Sequence, residues 1–177
     1  MTYIVSVGWD KKVHIWQDDK EEECTTTKIL PQNNQFGHQD DIMSAVYCCH
    51  QGNELVYTGG HDGSLIAWNF ETGYSKYQLD IYDKTCRSDD YIRESKSVDK
   101  LLILHEKKRL LSMTADQTIR FWELKDAKAP TFKFHCKHPE DDHLTAIAVT
   151  VDNNTLLTAD TGGQMKMWDI SDVKLND

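Results

Sequence analysis

The chain has 177 residues, of which 39% are hydrophobic and 28% charged, with a formal net charge of −9 at neutral pH. This composition excludes an intrinsically disordered chain and fits one folded domain with polar loops. An acidic surface repels nucleic-acid phosphate and anionic lipid, so neither is expected as a partner, whereas a protein with basic patches is.

Taken in chain order, Tyr3 to Gly8 reads as a strand, Asp10-Lys11 as a tight turn, and the residues up to Trp16 as a second strand. Beyond the acidic run Asp18-Asp-Lys-Glu-Glu-Glu, Thr25 to Leu30 is polar and β-branched, as expected for an outer edge strand. Ile42 to Cys49 is apolar and nearly free of charge, as expected deep in a core. Glu54 to Thr58 and the strand ending at Trp68 flank the turn Asp62-Gly63, where Asp and Gly tolerate positive φ or bond their own backbone. In this second strand Leu65 and Ala67 face one side, and Ile66 and Trp68 the other. Both sides are apolar, which predicts a strand packed between two neighbouring sheets. Tyr74 to Leu79 completes the set.

The pattern then recurs. After a mixed-charge loop from Ile81 to Ser97 come Val98 to Leu104, a hairpin turning at Asp116-Gln117 and ending at Trp122, and Thr131 to His135. Leu144 to Val151 opens a last set, whose hairpin turns at Gly162-Gly163 and ends at Trp168. Set in register, the four tryptophans align their surroundings. Ten residues before each stand Ser6, Thr58, Ser112 and Thr158; six before stand Asp10, Asp62, Asp116 and Gly162. Three before stand Val13, Leu65, Ile119 and Met165; one before, Ile15, Ala67, Phe121 and Met167. Short antiparallel sheets repeated at such a period predict an all-β chain built as blades of a propeller.

These residues resemble the WD40-repeat family. The second repeat carries the fullest form, with Gly37-His38, Ile42 to Tyr47 and Leu55 to Trp68. The resemblance implies a WD40-type β-propeller of about three and a half to four blades, near 3–30, 37–80, 98–136 and 144–177. The first blade lacks an innermost strand and the last lacks room for an outer one, so the ring is expected to be incomplete and to need another chain or segment. The resemblance also implies a buried hydrogen-bond chain in each blade. In the second it would run Asp62, His38, Thr58, Trp68. The first offers Ser6, Asp10 and Trp16 with no preceding loop, and the third Ser112, Asp116 and Trp122 with no Gly-His. The fourth offers Thr158 and Trp168, with Asp160 for the turn and His138 or His143 for the loop histidine. The four-residue network is therefore expected in the second blade alone. Thr158-Ala-Asp-Thr-Gly-Gly-Gln-Met-Lys-Met-Trp-Asp-Ile170 is similar to repeats of ciliary and flagellar WD-repeat proteins, including those that also carry EF-hands.

Other chemistry is set aside. No apolar run approaches the ~18 residues of a bilayer span, and the start of the chain shows no signal-peptide pattern, so a cytoplasmic protein is expected. Cys24, Cys48, Cys49, Cys86 and Cys136 contain no C-x-x-C and read as reduced thiols, with Cys48 and Cys49 as buried filler on opposite faces. His135-Cys-Lys-His138 with Asp141, Asp142 and His143 looks like a metal cluster on paper, but its side chains should diverge along a strand end and loop. No P-loop, dinucleotide or G-x-S-x-G pattern is present, so no catalytic residue, cofactor or metal is expected. Trp9, Tyr57 and His61 are candidate partner contacts. The expected function is a protein-interaction scaffold in a large assembly such as the axoneme, or else an adaptor in ubiquitin ligation or trafficking.

Overall fold

The computed structural model describes residues 2–18, 25–31, 36–50, 52–81, 97–124 and 130–172. Most of the acidic run after Gln17, most of the loop from Ile81 to Ser97 and the stretch after Asp172 fall outside them, as do Cys24 and Cys86. Among the described residues, fourteen strands form four antiparallel sheets. The first holds β1 (Thr2–Val7), β2 (Val13–Asp18) and β3 (Thr25–Leu30). The second holds β4 (Ile42–His50), β5 (Asn53–Gly60), β6 (Ser64–Asn69) and β7 (Ser75–Asp80). The third holds β8 (Val98–Leu104), β9 (Arg109–Thr114), β10 (Thr118–Glu123) and β11 (Phe132–His135). The fourth holds β12 (Leu144–Val149), β13 (Thr155–Asp160) and β14 (Met165–Asp169). Within each sheet the strands lie in chain order, so neighbours in sequence are neighbours in space. Among the described residues the four sheets follow one another as in a partial WD40-type propeller, with no closed barrel. No helix among the described residues is long and apolar enough to cross a membrane.

The tryptophan register is also the strand register. Trp16 pairs with Ile4, Trp68 with Val56, Trp122 with Leu110 and Trp168 with Leu156. The alternation within β6 separates two cores, as the sequence predicts. Ile66 and Trp68 join Val13, Ile15 and Leu30 of the first sheet. Leu65 and Ala67 join Val98, Leu101, Leu110 and Trp122 of the third. A third core links Leu111, Ile119 and Phe121 to Leu144, Leu156 and Ile170 of the fourth sheet. Every core therefore lies between successive blades, where each fully buried Leu or Ile contributes about 1.5–3 kcal/mol over its exposed state. Gly59 permits one close approach: a Cβ there would meet Val98 Cγ1 at 2.4 Å.

Among the described residues no core joins the fourth sheet to the first. The two outer faces show what this leaves open. Met165 and Met167 are 68% and 75% exposed, while the matching residues Val13, Ile15, Leu65, Ala67, Ile119 and Phe121 are at most 1% exposed. Ile4 is 51% exposed, against at most 1% for Val56, Leu110 and Leu156.

Candidate functional site

The second blade holds the expected hydrogen-bond chain. The Trp68 indole N–H donates to Thr58 Oγ1 at 2.8 Å, and Thr58 Oγ1 lies 2.7 Å from His38 Nε2. An indole can only donate, so the Thr58 oxygen accepts it and also bridges to the imidazole. That leaves His38 Nδ1 facing Ser64 Oγ at 2.9 Å and Asp62 Oδ1 at 3.3 Å. Asp62 also accepts the Ser64 hydroxyl and the backbone N–H groups of Ser64 and Gln39. Gly60 makes room for the ring, because a Cβ there would come within 2.4 Å of His38 Nδ1.

The fourth blade closes the same chain, against the expectation of one complete network. Trp168 Nε1 donates to Thr158 Oγ1 at 3.0 Å, which lies 2.9 Å from His138 Nε2. His138 Nδ1 meets Asp160 Oδ2 at 2.5 Å. The carboxylate comes from the first position of the turn instead of the third. Asp142 occupies the space over the third, where a Cβ on Gly162 would lie 2.6 Å from Asp142 Oδ2. The sequence signal for His138 over His143 was the spacing: it precedes its hydroxyl by 20 residues, as His38 precedes Thr58.

The other two blades keep the indole anchor and change the rest. Trp16 donates to Ser6 Oγ at 2.8 Å and Trp122 to Ser112 Oγ at 2.9 Å. Their turn carboxylates engage a cationic or protonatable side chain two residues before the tryptophan. Asp10 Oδ2 meets His14 Nε2 at 2.7 Å, and Asp116 Oδ2 accepts from Arg120 Nη2 at 3.3 Å. Arg120 also donates to Thr114 Oγ1 at 2.5 Å. Among the described residues neither Asp10 nor Asp116 joins its tryptophan through a histidine.

All four hairpins share one turn geometry. The N–H groups of Lys11, Gly63, Gln117 and Gly163 donate to the carbonyls of Gly8, Gly60, Thr114 and Asp160, three residues earlier. Each of these donors has positive φ, at 62°, 74°, 59° and 82°.

Burial raises the Asp62 carboxyl, but hydrogen bonds from His38, Ser64 and Gln39 outweigh it and hold the group well below its usual 3.8. Burial likewise opposes, and His138 and the Gln164 N–H overcome, at Asp160, which is also lowered. A depressed carboxyl stabilises the fold above its unfolded value and loses that contribution as pH falls toward the folded one. The stabilisation from these two carboxyls should thus be intact above about pH 5 and be lost as pH falls further. Asp62→Asn should flatten the acid limb in denaturant titrations at successive pH values; an unchanged slope would contradict the role given to Asp62.

The turns share one end of the molecule with the loops before the innermost strands. His61 N donates to Asp41 O, Ala115 N to Ser97 O and Thr161 N to His143 O. Trp9 holds the equivalent turn position in the first blade and is 80% exposed. His61 stands beside Asp40, at 3.6 Å. Both lie on this face. Asp99 sits at a β-bulge on β8; burial raises its carboxyl, while Ser97, His61 and His143 act in the opposite sense. Tyr57 is not a surface contact. It is 1% exposed, and its hydroxyl lies 2.9 Å from that of Tyr77 between the second and third blades. Cys48 is buried as expected, but Cys49 is exposed. The paper metal cluster is dispersed. His138 is bound to Asp160, the Lys137 N–H donates to His135 Nδ1, and burial pushes the Cys136 thiol up to about 12. No group of three or more His, Cys, Asp or Glu among the described residues could hold a metal ion.

The model of the family described as "WD domain, G-beta repeat" matches residues 30–69 and 130–169. Those segments contain the two blades with complete Asp–His–Thr–Trp chains. Three curated proteins are similar along nearly the whole chain. "Cross-pathway control WD-repeat protein 2" of Flammulina velutipes is 22% identical over 173 residues, covering 95% of this chain and 47% of that protein. "Small ribosomal subunit protein RACK1" of Neurospora crassa is 25% identical over 171 residues, covering 94% and 47%. "MST50-interacting protein 11" of Pyricularia oryzae gives the same values, 25% over 171 residues, 94% and 47%. The chain spans about half the length of the curated relatives it matches. Two stretches of the chain, 30–69 and 130–169, are thus similar to WD40 repeats, and the same indole anchor recurs in the two other sheets.

Proposed function

We propose that the chain is a non-catalytic scaffold for protein–protein interaction, acting in the cytoplasm without cofactor, nucleic acid or membrane. The observation that carries this reading is where the reactive-looking residues sit. Thr58 and Thr158, each beside a histidine and a carboxylate, accept an indole N–H inside a sheet, where a hydrolase would aim the hydroxyl at a substrate. On the turn face, Trp9 is exposed and offers a large aromatic anchor of the kind that dominates interfaces. The acidic surface favours a partner with basic patches.

Within this reading the chain is a structural part of a large assembly, and the motif from Thr158 to Ile170 favours the axoneme. The adaptor reading draws support from a relative named for its interaction with another protein. Capture on the immobilised chain from ciliated and non-ciliated cells separates the two. Axonemal proteins are expected, and recovery of non-ciliary complexes alone would transfer the role to an adaptor. Trp9→Ala should abolish capture of the main partner and leave the thermal midpoint unchanged; full retention would remove Trp9 from the interface. The exposed outer faces of the first and fourth blades also support the reading that another segment or chain covers them and continues the ring.

A further inference from the structure

The left-handed position of the four hairpin turns carries two kinds of residue. Gly63 and Gly163 hold it in the second and fourth sheets, at φ of 74° and 82°. Lys11 and Gln117 hold it in the first and third, at 62° and 59°. A side chain there strains the backbone, because its Cβ crowds the following carbonyl, and glycine relieves that strain. Both of these side chains nevertheless cross to the next sheet. Lys11 Nζ donates to Gln39 O at 2.9 Å. Gln117 Nε2 donates to Pro139 O at 3.0 Å and to Asp142 O at 2.9 Å. Gln39 and Pro139 directly follow the loop histidines His38 and His138. The loops reached are therefore those of the two complete Asp–His–Thr–Trp chains. The turn before the third sheet has Gly63, and among the described residues no histidine stands behind that sheet's indole anchor.

We propose that Lys11 and Gln117 are inter-blade latches, which position from one sheet the loop histidine and the acidic loop of the next. This goes beyond the proposed function and stands without it. Gln117 is the stronger latch. It is 7% exposed, so water competes little for the two carbonyls it binds. Its amide orientation is fixed, since the reverse would set oxygen against both carbonyls. Pro139 O also accepts the Asp142 N–H, so the amide closes over the turn that follows His138. Lys11 is exposed, and water competes for its bond to Gln39 O. The backbone adds to that boundary, because Ile42 N donates to Gly8 O at 3.2 Å. The two loops carry Asp40-Asp41 and Glu140-Asp-Asp-His143 onto the turn face.

The test follows amide hydrogen exchange by NMR in the 177-residue chain. The Asp142 and His143 N–H groups report the loop of the fourth sheet, through their bonds to Pro139 O and Thr161 Oγ1. Gln117→Glu keeps the length and removes both donors, and Gln117→Gly removes the side chain while relaxing the turn. Each should speed exchange of those two amides by about tenfold or more and leave the amides of β5 and β6 unchanged. Gln117→Lys supplies donors as Lys11 does, and should stay within about twofold of the parent chain. Lys11→Met should speed exchange of the Gln39 N–H, which donates to Asp62 Oδ2, by a smaller factor, and Lys11→Arg should restore it. A Gln117→Gly chain with a raised thermal midpoint and intact loop protection overturns the latch. So does a Gln117→Lys chain that exchanges as fast as Gln117→Gly, or faster exchange spread evenly over all four sheets. Should Gln117→Glu fail to fold, the contrast between Gln117→Gly and Gln117→Lys decides alone.

Discussion

Trp68→Ala should lower the unfolding free energy by about 3–5 kcal/mol, the range for removing a large aromatic from a packed core. Trp68 is fully buried among Val13, Ile15, Val56 and Ile66, and the sheets on either side are held by their own hydrogen bonds and cannot collapse into the gap. The truncation also leaves Thr58 Oγ1 without its donor. Trp16→Ala, the same change on the open face of the first blade, should cost well under half as much. Urea titration of both variants measures the contrast. Equal losses would mean that the two tryptophans have equivalent surroundings, against the open end described for the first blade.

Thr58→Val should cost about 2–6 kcal/mol, although it preserves shape, because it orphans two buried polar groups at about 1–3 kcal/mol each. Those groups are the Trp68 indole N–H and His38 Nε2, with Thr58 and His38 both buried. Thr158→Val should act in the same direction but less strongly, since Trp168 is only partly buried and water can reach its indole. Denaturant unfolding with Thr58→Ser as the control checks the claim, because serine retains the hydroxyl and should recover most of the loss. A valine variant as stable as the serine variant would show that packing, and not the hydrogen-bond chain, sets the value of this position.

Much of this was legible in the sequence because period and chemistry agree. The indole needs an acceptor, so a hydroxyl ten residues earlier recurs in all four repeats and fixes the strand register. Alternating apolar residues on both sides of β6 foretold two cores, and β6 stands between two of them. What was missed depends on side chains that reach the same point from another backbone position. Asp160 and His138 stood among the candidates for the fourth blade, but the choice of His138 over His143 needs the two matching 20-residue spacings to be compared. His14 and Arg120 lie on strands, where a search for a loop histidine does not look. Tyr57 misled because its hydroxyl suggests exposure, yet Tyr77 on the blade's outer strand satisfies it. The open outer faces cannot be read from Met165 or Ile4 alone, since equally apolar residues at those positions are buried in the other blades.

Hydrogen exchange of the five indole N–H protons, resolved by NMR and assigned with single Trp→Phe variants, tests the repeated anchor most directly. Trp68 and Trp122 should exchange only with global unfolding, Trp16 and Trp168 more readily, and Trp9 at the rate of free indole. Exchange of Trp68 or Trp122 as fast as that of Trp9 would contradict the account.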